Sequence, residues 1–378
     1  MTEKPIRVLQ IDSSMIWGGG QSQISTLIRE SKNLPLEHHL ACPKNSKLYF
    51  KVRSNVAGYV PLGRLGILSP LSMIRIRNYC RTHKIQILHS HCGKSHTFAY
   101  WLKRFFLPKI ILVAHRRIPA KIRSNLVSRK KFIDGAVDHF ISVSNYIKGV
   151  LMSGGVEESR ITTIRSSKKP FESNNEHKIL ARAALKRTRD LAPNGEFFVL
   201  SASRLVPDKG LFILIEAFRR LVRELPTARL LIAGEGPLES ELKVAAKALT
   251  ESGLVTFLGF RKDVPDLLMG ADVFAIPSLS EGLGSTIVEA MLARTPVVGS
   301  AVEGIPELIQ NGTTGILVQP GDAEGLFNAL LKLAYDKNLK SQLAEKAYDW
   351  ATHSCGPAIM VEKTFRIYQS LIKNPDCR

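Results

Sequence analysis

The sequence predicts an α/β protein with two doubly wound parallel sheets. Short, almost entirely apolar runs alternate with helical patterns, as expected for strands that helices cover on both faces. This alternation stops in a polar stretch, residues 164–178, and then starts again. The 378 residues are enough for two domains, each with its own hydrophobic core.

Nine apolar runs are predicted to be buried strands, with helices between them. The first domain contains IRVLQID (6–12), IQILHSH (85–91), KIILVAH (109–115) and HFISVS (139–144). The second domain contains FFVLSAS (197–203), ARLLIAG (228–234), LVTFLGF (254–260), DVFAIPS (272–278) and TPVVGS (295–300). The region from about 323 to 373 is predicted to be helical.

The polar stretch contains Pro170 and turn-forming asparagines, which favour a linker. We therefore predict a first domain over residues 1–175 and a second over 176–355. We expect a final helix, within 356–378, to return to the first domain.

The distribution of charge indicates an anionic partner for the first domain. The chain has a formal net charge of +20. Residues 1–190 contain 34 Lys and Arg against 11 Asp and Glu, whereas residues 191–378 contain 19 and 22. From 38 to 133 there are 20 basic residues and no acidic one. Membrane phospholipid, a phosphorylated acceptor and nucleic acid would each explain this excess, and a merely soluble basic surface is the alternative.

The sequence offers no sign of export or of membrane insertion. No run approaches 18 consecutive apolar residues, and the first residues enter a strand pattern without the apolar core of a signal peptide. The five cysteines are scattered, without zinc spacing or the look of a disulfide framework. We therefore expect a cytoplasmic protein.

A glycine-rich loop follows the first predicted strand. Gly18, Gly19 and Gly20 would let a phosphate or sugar approach the backbone at the start of a helix. The spacing is not that of a dinucleotide-binding motif. A tight turn without a ligand is the alternative.

A second loop, SRLVPDKG (203–210), lies between a strand and a helix of the second domain. Arg204 and Lys209 are placed to hold a diphosphate, Arg204 by paired hydrogen bonds and Lys209 as a point charge. An exposed loop with two solvated cations is the alternative.

A third loop, SLSEGLGSTIVEAML (278–292), places two carboxylates around the start of one helix. We expect Ser285 to cap that helix, which leaves Glu289 one residue beyond the capping-box position and Glu281 in the loop. The amides of Gly284 and Ser285 suit a phosphate, and the carboxylates suit sugar hydroxyls. Two ordinary surface glutamates are the alternative.

Three histidines, His89, His91 and His115, end predicted strands of the first domain. They could bind zinc, but such a site needs a fixed ligand spacing and a carboxylate or thiolate partner. Hydrogen-bonded structural histidines explain them better, so we predict no metal site.

These motifs resemble those of the retaining glycosyltransferases of family 4, which have the GT-B fold of two Rossmann-like domains facing each other across a cleft. The second half carries the resemblance most specifically, and Glu281 and Glu289 match the family's E-x7-E motif. The matching stretches there are SRLVPDKG, LLIAGEGP (230–237), VTFLGF (255–260) and residues 271–322. The first half matches more weakly, through GGGQ (18–21), ILHSH (87–91), AHRRIP (114–119) and ISVSNYI (141–147).

The resemblance implies transfer of a sugar from UDP or GDP to an acceptor hydroxyl, with retained configuration and without a metal or other cofactor. It also implies a role for each matching position. The diphosphate would contact Arg204, Lys209, Gly18, Gly19 and the amides of Gly284 and Ser285. Glu289 would bind the ribose, Glu281 the hydroxyls of the donor sugar, the backbone near Arg261 the base, and His115 would lie close to the anomeric carbon and the acceptor.

Two positions depart from the family pattern. Members often have Asn-Gly where this chain has IRSSKK (164–169), and Asp where it has Gln86. Both departures concern the first domain and not the donor motifs.

The first domain of such enzymes binds the acceptor, and here it holds the whole positive excess. WLKRFFLPK (101–109) and KIRSNLVSRKKF (121–132) combine basic and apolar residues, which suits an anionic membrane surface. We therefore expect peripheral attachment to the inner face of the plasma membrane and a lipid-linked or phosphorylated glycan acceptor, as in lipopolysaccharide synthesis. A basic nucleic-acid-binding protein and a sugar-nucleotide epimerase or phosphorylase of the same fold are the alternatives.

Overall fold

The computed structural model describes residues 4–62, 70–119, 122, 126–171, 175–187 and 196–373. Contacts divide the chain into two compact units: the chain up to Ser167 with the helix that begins at Pro357, and Lys168–Gly356. This division precedes the boundary at 175 that the composition suggested. Lys168 already belongs to the second unit because its N–H donates to the carbonyl of Cys355 at 3.1 Å.

The first unit is built on a parallel sheet of seven strands in the order β3-β2-β1-β4-β5-β6-β7. Its strands are β1 (Ile6–Ile11), β2 (Leu36–Pro43), β3 (Gly58–Leu62), β4 (Ile87–Ser90), β5 (Ile111–Arg116), β6 (His139–Ser142) and β7 (Ile161–Thr163). Its helices before the division are α1 (Gly19–Glu30), α2 (Lys47–Val52), α3 (Pro70–Thr82), α4 (Gly93–Phe106), α5 (Leu126–Ile133) and α6 (Asn145–Ser153).

The second unit is built on a parallel sheet of six strands in the order β10-β9-β8-β11-β12-β13. Its strands are β8 (Phe197–Ala202), β9 (Ala228–Ala233), β10 (Val255–Gly259), β11 (Val273–Ile276), β12 (Val297–Ser300) and β13 (Ile316–Val318). Its helices are α7 (Asn175–Arg187), α8 (Leu211–Glu224), α9 (Glu239–Ala245), α10 (Lys247–Glu251), α11 (Val264–Gly270), α12 (Ser285–Leu292), α13 (Ala323–Tyr335) and α14 (Lys337–Ser354).

The last helix, α15 (Pro357–Lys373), packs on the sheet of the first unit. Its fully buried Tyr368 and neighbouring apolar side chains share a hydrophobic cluster with Val8, Ile87 and Ile111 of the central strands. This helix therefore covers one face of the first sheet and completes the core of that unit.

All nine strands predicted from apolar runs are present, within two residues at each end. The four strands that the pattern missed are β2, β3, β7 and β13, three of which form sheet edges. Edge strands are short or less apolar because one side lacks a neighbour, and β3 contains Pro61, which is tolerated there. The missed strand β2 is interrupted by the polar residues Glu37, His38 and His39.

Helices long and apolar enough to cross a bilayer do not occur in the described part of the chain.

A buried histidine makes the stability of the first unit depend on pH. His38 Nδ1 accepts from the Gln10 amide at 3.1 Å, so its Nε2–H donates to Ser31 Oγ at 2.8 Å. Both ring nitrogens are thus satisfied in the neutral form, and burial lowers the pKa of His38 to about 4. Protonation would place an N–H against the donor of Gln10.

We expect the free energy of unfolding to fall as the pH is lowered from 7 to 5. An unfolded His38 binds a proton near its ordinary pKa of 6.5, whereas the folded one stays neutral until about pH 4. The resulting loss is about 2 kcal/mol at pH 5. Urea unfolding of wild type and His38→Gln between pH 7 and 5 measures this loss. The free energy of unfolding of the variant should depend less steeply on pH, because only the contribution of His38 is removed and those of the other histidines remain. Parallel pH profiles would contradict the assignment.

Candidate functional site

The donor-binding residues predicted in the second unit follow the carboxyl ends of its strands. Arg204 and Lys209 follow β8, and Glu281 follows β11, which is the neighbour of β8 in the sheet. The order of strands reverses between β8 and β11, which is where open parallel sheets form their ligand crevice. The topology therefore brings two of the three predicted loops to the same place.

Backbone contacts lock these two loops together. The N–H groups of Leu279 and Ser280 both donate to the carbonyl oxygen of Asp208, at 2.8 and 3.3 Å. Gly210 lies beside them in the left-handed conformation, with φ of 63°. A Cβ at Gly210 would lie 2.0 Å from the carbonyl oxygen of Pro277, so only glycine permits this approach.

We expect Gly210→Ala to destabilise the second unit and to weaken ligand binding. The left-handed backbone alone costs about 1–2 kcal/mol for a residue with a Cβ, and the clash with Pro277 adds to it. Thermal unfolding measures the effect, and Gly312→Ala is the matched control. Gly312 also has a positive φ, 74°, but a Cβ there would meet nothing within 4 Å. Equal losses of Tm in both variants would show that the loop contact contributes nothing.

These backbone hydrogen bonds hold the two loops so that Lys209 lies against Glu281. Their side chains form an ion pair, and only 15% and 18% of their respective surfaces are exposed. Arg204 differs, because it is exposed and its guanidinium has no hydrogen-bond partner among the described residues. One cation is thus held in position by a carboxylate, while the other remains available to an anion.

The second carboxylate, Glu289, pairs with a residue that the sequence analysis had not selected. Lys168 Nζ lies 2.5 Å from Glu289 Oε1, and both side chains are more than four-fifths buried. Lys168 belongs to the IRSSKK stretch, which departs from the family pattern. The ion pair joins positions 121 residues apart, so no local spacing pointed to it.

The helix that carries Glu289 begins differently from the prediction. Gly284, with φ of 86°, is the N-cap of α12, and Ser285 is its first helical residue, so Ser285 does not cap the helix. The left-handed glycine turns the chain into the helix without a side-chain hydrogen bond. The first turn contains no acidic residue, so its amides form the positive end of a helix dipole.

Glu303 is another residue that the sequence analysis missed. Its carboxylate accepts from the Glu281 N–H at 2.6 Å and from Ser280 Oγ at 2.9 Å, and its own φ is 49°. A non-glycine residue in this region is strained, and such strain is often found at functional sites. Glu303 therefore fixes the backbone of Glu281. Its place just after the end of β12 was the only sequence signal.

Arg261 uses its side chain within its own loop. Its Nε and Nη2 donate to the two carboxylate oxygens of Asp263, at 2.8 and 2.5 Å. This hydrogen bonding lowers the pKa of Asp263 and raises that of Arg261. The ion pair holds this side chain within its own loop, and the contact of the nearby backbone with a base stays a prediction.

In the first unit, the glycine-rich loop forms the start of α1. Gly18 is the N-cap, Gly19 is the first helical residue, and both are exposed. The guanidinium of Arg117 lies beside this turn, since a Cβ at Gly20 would be 3.7 Å from its Nη1. A helix end and a cation therefore lie close together, which suits an anion.

Arg117 also determines the tautomer of two histidines that the sequence analysis selected, His91 and His115. Its Nη2 lies 3.0 Å from His115 Nδ1 and 3.2 Å from His91 Nδ1. A guanidinium only donates, so both Nδ1 atoms accept and the proton of each ring is on Nε2. Burial lowers the pKa of both histidines well below 6.5, and Arg117 adds to the shift. His115 Nε2–H is buried and has no partner among the described residues.

His89, His91 and His115 have ligand atoms within 4.8 Å of one another. Some of their nitrogens are nevertheless engaged by other groups: His89 Nδ1 by the Tyr368 hydroxyl at 2.6 Å and His91 Nε2 by Gln10 Oε1 at 2.6 Å. The Nε2 atoms of His89 and His115 are buried and have no hydrogen-bond partner among the described residues. Arg117 supplies a positive charge where a metal would need to bind. The cluster therefore fits a hydrogen-bond network better than a zinc site.

The basic segments predicted to meet a membrane are only partly available. Lys103 is buried and paired with Asp138, whereas Phe105 is 67% exposed and stacks on Trp101. The segment 121–132 lies partly outside the described residues.

Two family models match the chain in sequence. One, described as Glycosyltransferase Family 4, matches residues 17–166, and the other, described as Glycosyl transferases group 1, matches residues 184–350. The two matches fall in the two units and together span most of the chain.

Curated relatives match over shorter stretches. The lipopolysaccharide core biosynthesis glycosyltransferase LpsE of Rhizobium meliloti is 36% identical over 151 residues, which is 40% of this chain and 43% of the relative. The N-acetyl-alpha-D-glucosaminyl L-malate synthase of Bacillus anthracis is 31% identical over 160 residues, 42% of each. The chain thus spans less than half the length of these relatives.

Solved structures match over nearly the whole chain. HepE of Anabaena, crystallised with UDP and glucose, has a TM-score of 0.82 at 21% identity and covers 97% of this chain and 100% of its own. A glycosyltransferase from Rickettsia africae has the same TM-score at 18% identity, covering 98% and 99%. At this identity the likeness concerns the fold, and it confirms the predicted GT-B class.

Proposed function

Because this chain belongs to the glycosyltransferases that combine a family 4 domain with a group 1 domain, we propose that it transfers a sugar from a nucleotide-sugar to an acceptor hydroxyl. One observation carries the proposal. The β8 and β11 loops are hydrogen-bonded to each other at the switch point of the second sheet and bear two cations and a helix amino end. This is the set of groups that a diphosphate requires.

Cations and backbone amides would bind the diphosphate at the centre of the donor, and carboxylates would accept hydrogen bonds from the hydroxyls of the two sugars on either side of it. Arg204, Lys209 and the amides of Gly284 and Ser285 would bind the diphosphate. Glu281 would accept from hydroxyls of the sugar. Its orientation is supported by the ion pair with Lys209.

Glu289 would accept from the ribose hydroxyls of the nucleotide. Its ion pair with Lys168 supports a carboxylate that is fixed in position. The nucleotide would be UDP or GDP, with the backbone near Arg261 beside the base. Gly18 and Gly19 remain predicted phosphate contacts.

The reaction would proceed with retained configuration and without a metal. Negative charge develops on the departing diphosphate, and fixed cations and helix amides stabilise such charge without reorganisation. No side chain is assigned the role of nucleophile. His115 would offer its buried Nε2–H to an oxygen near the reacting carbon, because Arg117 leaves the proton on that nitrogen.

The acceptor would be a lipid-linked or phosphorylated glycan of the cell envelope, reached from the inner face of the membrane. The name of the R. meliloti relative, which mentions the lipopolysaccharide core, supports this class. The exposed Phe105 and Leu71, at 67% and 70%, and the basic composition of the first half suit an anionic membrane surface.

The decisive experiment is a panel of UDP- and GDP-sugars, with release of free nucleotide as the readout. Wild type should release nucleotide from at least one donor, and Arg204→Ala and Glu289→Ala should lose donor binding. Product analysis separates transfer from epimerisation. Stronger thermal stabilisation by an oligonucleotide than by UDP or GDP would instead favour nucleic-acid binding.

Membrane attachment is tested by sedimentation with vesicles across a salt series. Pelleting should be stronger with anionic than with neutral lipid and should weaken as salt rises, because screened charges attract less. Equal pelleting with both lipids would count against attachment through the basic residues.

A further inference from the structure

An open cavity of about 570 Å³ lies in the second unit, away from the loops discussed above. Helices α7, α11 and α14 and the turn between α12 and β12 form its walls. Five cationic side chains line it: Lys178, Arg182, Arg294, Lys337 and Lys340. No sequence motif had pointed to this cavity, because its cations come from three separate stretches of the chain.

Carboxylates balance only part of this charge. Asp272 accepts from Arg182 at 2.5 Å and from Lys340 at 2.9 Å, and Glu345 accepts from Arg294 at 2.9 Å. Among the described residues that line the cavity, these two are the acidic ones. Five cations thus face two carboxylates, so the cavity retains an excess of positive charge.

Lys178 and Lys337 carry that excess. Neither side chain has a hydrogen-bond partner among the described residues. Burial and the nearby charge of Arg294 lower the pKa of Lys178, and Glu345 offsets only part of this effect. Lys337 is the first residue of α14 and follows Asp336, whose carboxylate caps that helix by accepting from the Leu339 N–H at 2.8 Å.

The backbone of Arg294 is a second, independent sign that this side chain is needed here. It has φ of 54° just after the end of α12, at a position where glycine is usual. The guanidinium is stacked over Tyr348, 3.5 Å from the ring centre, and reaches the cavity from there. An arginine with a strained backbone, at a position where glycine is usual, thus places its guanidinium at this wall of the cavity.

The cavity and the proposed donor site lie at opposite ends of the strands of the second sheet. Asp272 precedes β11 and Pro296 precedes β12, whereas Glu281 and Arg204 follow the carboxyl ends of their strands. The four residues of β11 span about 13 Å at roughly 3.3 Å each. An anion in the cavity would therefore not compete with the donor.

We propose that this cavity is a second anion-binding site of the protein, which takes a ligand carrying a phosphate or diphosphate group. The group would bind between Lys178 and Lys337, the two lining cations that have no hydrogen-bond partner among the described residues. Two sources offer this chemistry, a free phosphorylated molecule and the headgroup of an anionic lipid. The inference does not depend on the proposed sugar transfer.

Calorimetric titration with inorganic pyrophosphate tests the free ligand. Full-length protein with Arg204→Ala and Lys209→Ala serves as background, so that the donor site does not contribute. We expect binding in this background and at least about tenfold weaker binding after addition of Lys178→Glu and Lys337→Glu. The neutral pair Lys178→Gln and Lys337→Gln should give an intermediate loss, which guards against a folding defect of the glutamate variant.

The matched control is Lys243→Glu with Lys247→Glu, which changes the net charge equally at two exposed positions outside the cavity. It should bind pyrophosphate as the background does. The lipid source is tested by pelleting with phosphatidylglycerol vesicles, where only the Lys178 and Lys337 variant should lose binding relative to this control. Specific loss in either assay supports the site and identifies the source. Equal behaviour of the two glutamate variants in both assays would overturn the proposal.

Discussion

Lys209→Met is expected to lower kcat/KM for sugar transfer by about 10²–10³-fold, as removal of one group that stabilises a developing negative charge typically does. Lys209 is the cation that the lock between the β8 and β11 loops positions, and its pair with Glu281 fixes its ammonium group. Methionine keeps the length and apolar stem of lysine but removes the charge. Steady-state release of nucleotide from the preferred donor measures the effect.

The ion pair allows a stricter version of this test. Glu281→Gln leaves Lys209 without its carboxylate, and the double variant removes both charges. If the two residues act as one unit, the double variant should be little worse than the poorer single variant. Lys243→Met removes an exposed charge and should leave the rate unchanged. A Lys209→Met enzyme with more than about a tenth of wild-type activity would refute the role of Lys209 at the diphosphate.

His115→Ala is expected to reduce kcat by about 10²-fold, and His115→Gln should recover part of the loss. Arg117 donates to Nδ1, so the free group of His115 is its Nε2–H. The amide of glutamine reaches the position of Nε2 and also donates, whereas that of asparagine corresponds to Nδ1. Comparing the alanine, glutamine and asparagine variants in single-turnover assays therefore shows which nitrogen acts.

The pH profile supplies the control for this assignment. The folded pKa of His115 is lowered well below 6.5 by burial, so the ring stays neutral between pH 6 and 8 and its titration adds no step to kcat there. Arg117→Met removes the donor that selects the tautomer and one cause of the lowered pKa. Burial, the larger cause, remains, so this variant should lose kcat while the pKa of His115 stays below 6.5. Wild-type kcat in this variant would mean that Arg117 does not position His115.

The sequence was sufficient to predict the central strands of both sheets, because each is a continuous apolar run that a buried parallel strand requires. Edge strands such as β3 were missed because their sequence requirements are weaker. The position of the domain boundary also depended on contacts. In the sequence, Lys168 does not differ from the other linker residues. Its backbone hydrogen bond to Cys355 and its ion pair with Glu289 assign it to the second unit.

By itself, the sequence determined which loops carry the candidate chemistry. Strand ends and glycine turns are local properties, so Gly210 and Glu281 could be placed in their loops without a structure. The start of α12 was placed one residue late, because Ser285 was expected as the cap where Gly284 caps the helix. Only the tertiary structure decided which charges meet. Three contacts show this: the ion pairs Lys209–Glu281 and Lys168–Glu289, and the hydrogen bond from Arg117 to His115. Whether such side chains pair depends on the distance between them and on their burial in the folded protein. Those quantities exist only once the strands have paired, and for that reason no spacing along the chain could predict them.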